Sequence, residues 1–392
     1  MLGLFRRKNY RNLMIEWATR IAELSSVPCV IDINDHGVFG ILGGGEFEMT
    51  THSGYICLES VTSAFGAGFH AHLIDVAIQA GDQLKLRWSS ISQDSTGYWK
   101  SRDFETLARC HRQHLRESAD KVLETSGQVK VNMEPRLAFD YEGEVLTPMG
   151  PRTRDHFRAV SQGIKTGEDI LHWPNQGFSL VNQYRLALFN LWNDVSWMPA
   201  QEAGQSELYN SISQNLKAAM LDSRFDIPWH EWWELIHLGA EIDKETFVQI
   251  NENRMTMPPP QVLIGYRRKH IKVGCGLYEM TIPGSLNGHY FKEWVLSNQE
   301  QFLGLSECTD PIERYQMAIH DLPGSFIQFD SPNFSTLFKY MHLEESDGFI
   351  VQGIVYHESK GVYLTLSGPH CKKDEMISWL KTLRRPVATC QR

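Results

Sequence analysis

The residues best placed to do chemistry are two pairs of histidines. His70-Ala-His72 is one, and His111-x-x-His114, beside Cys110, is the other. Imidazoles at i and i+3 of a helix share a face and can hold one metal ion. Neither pair sits in an HExxH or gains a helix-borne carboxylate, and His111 falls in the apolar stripe of its own helix. The pattern reads as hydrogen-bonded core histidines, and no metal is expected. Two glycine runs could cradle a phosphate. Gly66-Ala-Gly68-Phe-His-Ala lacks the third glycine of a dinucleotide fingerprint, and Gly43-Gly-Gly45 lacks the Lys-Ser/Thr ending of a P-loop. Both read as turns. Ser53, between His52 and Gly54, is a lone hydroxyl with no GxSxG elbow around it and no recognisable acid partner. Because no segment spaces a nucleophile, a base and a stabiliser together, the sequence nominates no catalytic residue and no cofactor.

Binding is the other possibility. The most unusual tract is Trp229-His-Glu-Trp-Trp-Glu-Leu-Ile-His237. On a helix, Trp229, Trp232, Trp233 and Ile236 share a face, with Glu231 and Glu234 to its side. Such a face is either a tryptophan-rich core or an aromatic patch rimmed with acid, the kind of surface that supplies interface hot spots. Glu202, Glu207, Asp222, Asp226, Glu241 and Asp243 crowd into the same stretch. As a solvated helical face they need no function; as a binding face they would steer a basic protein. The candidate interface is Glu202, Glu207, Asp222, Asp226, Glu231, Trp233, Glu234 and Glu241.

These side chains need elements to carry them. Residues 9–25 place Leu13, Met14, Trp17, Ala18, Ile21 and Leu24 at helical spacing. Cys29–Ile33 reads as a strand, Asp35-His-Gly37 as a turn of a hairpin, and Tyr55–Leu58 as another short strand. Residues 69–80 read as helix, and 84–92 as a strand in which Leu84, Leu86 and Trp88 alternate. A helix follows over 102–124 and extended segments over 128–147, which together make an α+β domain over 1–150. Residues 151–252 read as a helical segment, either packed with the first domain or separate. Asn253-Arg-Met-Thr-Met-Pro-Pro-Pro260 reads as a linker over 253–261, because three prolines cannot lie inside a helix. In 262–392, Val262–Tyr266 and Tyr278–Ile282 read as strands, and 288–303 and 311–320 as helices. Extended runs at Phe326–Phe329, Leu337–Leu343, Phe349–Tyr356 and Val362–Leu366 and a helix over Lys372–Arg385 complete a compact sandwich.

Composition narrows the partners. The net charge of −9, from 38 Lys+Arg and 47 Asp+Glu, disfavours a nucleic-acid binder, whose affinity rests on neutralising phosphates. The seven cysteines include no CxxC pair and read as reduced, mostly buried thiols. The basic start, Met-Leu-Gly-Leu-Phe-Arg-Arg-Lys, leads into no apolar h-region, and no stretch approaches the roughly 20 apolar residues of a membrane span. A cytoplasmic protein is expected, with no membrane contact.

The order of elements after the prolines resembles the PsbP-like superfamily of α-β-α sandwiches. The features that carry the likeness are a strand running into a proline, as in Tyr278-Glu-Met-Thr-Ile-Pro283, then a meander and a closing helix, as in Ser378-Trp-Leu-Lys-Thr-Leu383. Such modules mostly serve in binding or assembly. With the Pro258–Pro260 junction and the acidic helical middle, the whole chain resembles bacterial immunity proteins encoded with interbacterial effectors, including those of type VI secretion. The resemblance implies a protein, monomeric when free, that binds and neutralises a cognate antibacterial toxin, a basic nuclease-type effector acting in the cytoplasm. The alternatives are a hydrolase whose triad or metal site is assembled from distant segments around His70/His72 or His111/His114, and a structural adaptor that docks a partner helix on the middle segment.

Overall fold

The computed structural model describes residues 10–34, 37–52, 55–86, 94, 96–200, 203–258, 260–291, 293–327 and 333–385. Helix α1 (Tyr10–Leu24) buries Met14, Trp17, Ala18 and Ile21, the stripe its periodicity predicts. That stripe lies on an antiparallel sheet of β1 (Cys29–Ile33), β2 (Val38–Leu42), β3 (Gly45–His52) and β4 (Tyr55–Glu59), in that order. Gly43 and Gly44 both have positive φ, 53° and 81°, the backbone a two-residue hairpin turn between β2 and β3 requires. The glycine run is thus the turn expected, and it announces β3, a strand the sequence pattern does not reveal. Helix α2 (Ala67–Gln83) packs on α1, and Trp17 Nε1 donates to the carbonyl of Ala77 at 3.1 Å. The strand expected over 84–92 is not there at its start. Leu84 to Leu86 unwind from the end of α2, with Leu86 N donating to Gly81 O at 2.8 Å, and 87–92 fall outside the described residues.

Short α3 (Tyr98–Ser101) and long α4 (Phe104–Glu124) follow, the latter capped by Asp103, whose carboxylate accepts from Thr106 N. Next come three short strands, β5 (Val129–Lys130), β6 (Leu137–Phe139) and β7 (Val145–Leu146), of which β5 and β7 pair in parallel. Five helices fill the middle: α5 (Arg154–Ser161), α6 (Leu180–Asn193), α7 (Ala203–Ala219), α8 (Trp229–His237) and α9 (Lys244–Thr256). Helix α9 runs through Asn253–Thr256, so the stretch expected to be linker begins as helix and turns extended only at Met257.

The C-terminal third holds β8 (His270–Cys275), β9 (Tyr278–Pro283), β10 (Asn287–Phe291), β11 (Glu293–Ser297), β12 (Phe302–Glu307) and α10 (Ile312–Asp321). It ends with β13 (Ser325–Ile327), β14 (Ser335–Leu343), β15 (Gly348–His357), β16 (Lys360–Pro369) and α11 (Lys373–Leu380). Seven strands form one antiparallel sheet in the order β10-β11-β12-β16-β15-β14-β13. One face, through Ile354, meets Ile312 and Ile319 of α10; the other, through Phe349, Val351 and Val355, meets α11 and strands β8 and β9. The helix expected over 288–303 is instead β10, β11 and the start of β12. Trp294 and Leu296, then Leu303 and Leu305, alternate inward with period two, and the Asn298–Gln301 turn separates them. The strand expected over Val262–Tyr266 is instead a loop at 262–265 that enters a 3₁₀ turn at Tyr266, and the closing helix ends at Leu380 rather than 385. The chain is α+β. No helix among the described residues is long and apolar enough to cross a membrane.

The turn after the prolines joins the segments. Strand β6 pairs with β8, so Phe139 lies opposite Ile271 across 132 positions of sequence. Tyr266, 2% exposed, stacks on Phe139 at 5.0 Å and lies 4.9 Å from the Trp192 ring of α6. Its hydroxyl donates to Thr147 O at 3.0 Å and accepts from Thr147 N at 3.3 Å. Tyr266→Phe keeps the ring and strands both Thr147 groups in the core. We expect it to lower stability by about 1–3 kcal/mol in urea unfolding, with an unchanged m-value.

Candidate protein-interaction surface

The helical middle owes its shape to a core that takes most of the tryptophan tract. Trp232 is buried and its Nε1 donates to Ser213 Oγ of α7 at 2.6 Å, while Trp229 stacks beside it at 5.9 Å. Trp233 is half-buried, with the His237 ring 3.9 Å away and the Arg254 guanidinium 4.2 Å from its centre. The aromatic face is therefore mainly core, with Trp233 half-buried at its margin.

The carboxylates divide into two groups. Glu231, 3% exposed, points inward and accepts from Ile264 N at 3.2 Å. Burial pushes its carboxyl upward, an effect the Ile264 N–H partly offsets. Its place in the expected acidic surface is corrected accordingly. Glu234 forms a fork with Arg268, at 3.0 and 2.9 Å, and Arg268 lies 3.6 Å from the centre of the Trp197 ring. Asp222 is clamped by Arg224 and Asp243 by Lys217. Glu207, Asp226 and Glu241 are exposed, and Glu202 lies outside the described residues. The main-chain carbonyl of Asp226 accepts from the Tyr184 hydroxyl.

A second part of this surface is hidden from the sequence pattern. Along α9, Glu245, Val248, Glu252 and Met255 recur at spacings of three and four and face solvent, Val248 at 44% and Met255 at 73% exposure. Met257, Val262 and Leu263, beyond the helix, are exposed as well. Two large apolar side chains flanked by uncompensated carboxylates suit a partner that is apolar and basic at once. The signal that could have found this stripe is its heptad-like spacing, but α9 was masked by its low overall apolar content.

The histidine pairs do not work as pairs. His70 and His72 leave α2 in different directions: His72 stacks on Trp173 at 4.9 Å and bonds Ser25 Oγ at 3.1 Å. His114 is exposed, whereas His111 is buried. Instead His70 and His111 meet across α2 and α4, ring centres 6.0 Å apart. The Thr62 hydroxyl lies 2.7 Å from His70 Nδ1, and Asp94 Oδ1 stands 3.8 Å from His70 Nε2. Among the described residues no group of three His, Cys, Asp or Glu is arranged to hold a metal. Ser53 lies outside the described residues, while Gly66 and Gly68 are turn and packing positions against the 173–175 main chain. The six described cysteines form no disulfide, and only Cys275 is fully buried; Cys110 and Cys371 are exposed.

Burial holds His70 below its usual range against the pull of Asp94, and burial with His70 and His114 brings His111 down to about 4. Both are neutral in the fold at pH 7. The unfolded chain binds protons at these sites from about pH 6.5 downward, so the stability they contribute is full above that value and is lost as pH falls toward 4. Asp194, raised to about 6 by burial, acts in the opposite sense. The His111 contribution is therefore read as a difference. His111→Leu should lose on the order of 2 kcal/mol less stability than the parent between pH 6.5 and 4.5, by urea unfolding at each pH. Comparison with known proteins places no name on this surface: no family model matches the chain, and neither a curated protein nor a solved structure matches it.

Proposed function

We propose that the chain is an immunity-type binding protein that captures a basic antibacterial toxin in the cytoplasm and neutralises it. The observation that carries this reading is the α9 stripe together with Glu207, Asp226 and Glu241. The carboxylates inside the helical middle are spent on structure, while these remain exposed around apolar side chains. Residues 203–256 hold nine acidic and four basic side chains, and two of the four, Lys217 and Arg224, already sit in ion pairs. Such a field speeds the capture of a cationic protein, and its carboxylates can occupy the positions where a nuclease expects phosphates.

The test is affinity purification of the tagged chain from its own cells, followed by expression of the co-purified protein with and without it. A single dominant basic partner, lethal alone and harmless in company, is expected. Glu245→Lys with Glu252→Lys should slow association with that partner by about 10-fold or more at low salt, the gap closing at high salt. A parent and double variant that associate equally fast at low salt would remove the acidic stripe from the mechanism.

A second reading, a hydrolase assembled from distant segments, is favoured by one observation: the Thr62 hydroxyl and the Asp94 carboxylate lie 2.7 and 3.8 Å from the two ring nitrogens of His70. If that reading held, Thr62→Ala would abolish turnover in an esterase panel while leaving toxin neutralisation intact.

A further inference from the structure

Between the loop at Met198–Pro199 and the C-terminal sheet lies a cleft of about 280 Å³ that none of the features above uses. Met198, Pro199 and Pro283 give it an apolar wall. Its polar groups come from the β11–β12 turn and the start of α11. Gln301 is 7% exposed and lines the cleft. Asn298 Nδ2 donates to Gln301 Oε1 at 3.0 Å, and Asn298 Oδ1 accepts from the main-chain N–H groups of Glu300 and Gln301 at 3.0 and 2.9 Å. The amide oxygen of Gln301 is therefore engaged, while its Nε2 has no acceptor. A buried donor held in place without an acceptor is costly, and a ligand oxygen would satisfy it. The charges point the same way. Lys372 Nζ lies 3.3 Å from Glu375 Oε2, so these two cancel and Glu300 leaves the cleft with a net negative charge.

We propose that this cleft is the anchor pocket for one lysine or arginine side chain of the partner, presented on an extended segment. The aliphatic stem lies against Met198, Pro199 and Pro283, the cation meets Glu300, and a main-chain carbonyl of the segment accepts from Gln301 Nε2. The volume suits one long side chain and its peptide group. The proposal rests on the reading of the chain as a binder of a basic protein, and it names what that protein must offer: a protruding basic residue with an apolar neighbour.

The experiment uses the full chain with ¹³C-labelled methionine methyl groups, Met198 being assigned through Met198→Leu. The probes are acetyl-Leu-Arg-amide and acetyl-Leu-Glu-amide. The arginine probe should shift the Met198 methyl signal saturably and the glutamate probe should not. Glu300→Gln should weaken the arginine probe by about threefold, and Gln301→Leu by about fivefold. A Met198 signal that ignores the arginine probe, or answers both probes alike, overturns the proposal. Ser285→Trp, which fills the cleft, separates the two readings. If the toxic partner binds this variant as tightly as the parent, the anchor pocket is wrong and the function stands. If the arginine probe binds the parent but no basic partner exists, the pocket stands and the function falls.

Discussion

Three consecutive side chains at Tyr266–Arg268 hold the molecule's parts in register. They lie on a single 3₁₀ turn, where successive residues point about 120° apart. Each therefore reaches a different region. Tyr266 goes to Thr147, Phe139 and Trp192. Arg267, buried, donates to the carbonyls of Gly284 and Leu286 at 3.1 and 2.6 Å. Arg268 turns to Glu234 and Trp197 in the helical middle and donates to Ile264 O at 2.6 Å. The geometry of one turn thus fixes the approach of the front strands, the strand connection before β10, and helix α8.

That arrangement explains which carboxylates are left for binding. Glu231 and Glu234 sit on the side of α8 that meets the 264–268 segment, so one is sealed by a main-chain N–H and the other by a guanidinium. The Ile264 N–H offsets part of what burying Glu231 costs, and an unpaired charge there would cost more. Among the described residues, the next helix, α9, has no such neighbour over its Glu245–Met255 face, which is exposed. The division between structural and available acid follows from which helix borders the keystone turn.

How much of this was legible in the sequence depends on the range of the interaction. Helices α1, α4, α6 and α8 show their stripes within single segments, because their burial has the period of the helix itself. Strands β10 to β12 were hidden because Phe291, Trp294, Val295, Leu296, Phe302 and Leu303 also fit a helical spacing, and only pairing with β16 decides between the two. The inward turn of Glu231 was invisible for a similar reason: its partner, Ile264, lies 33 residues away. Likewise the meeting of His70 with His111 needed the packing of α2 on α4, whereas adjacency in sequence suggested pairs that the helices direct apart. The Gly43–Gly44 turn could be read because its cause, a positive φ at two successive residues, is local.

The pairing of β6 with β8 has a consequence for how such a chain could change over time. The C-terminal strands look like a unit that recombination could lift out at the prolines and join to another front half. Yet His270–Cys275 borrows its outer neighbour from Leu137–Phe139. A chimaera cut at the prolines would carry a naked row of main-chain N–H and C=O groups along that strand, an invitation to pair with other molecules of its kind. Exchange of modules here is constrained by solubility, and the front and back of the chain are bound to be inherited together.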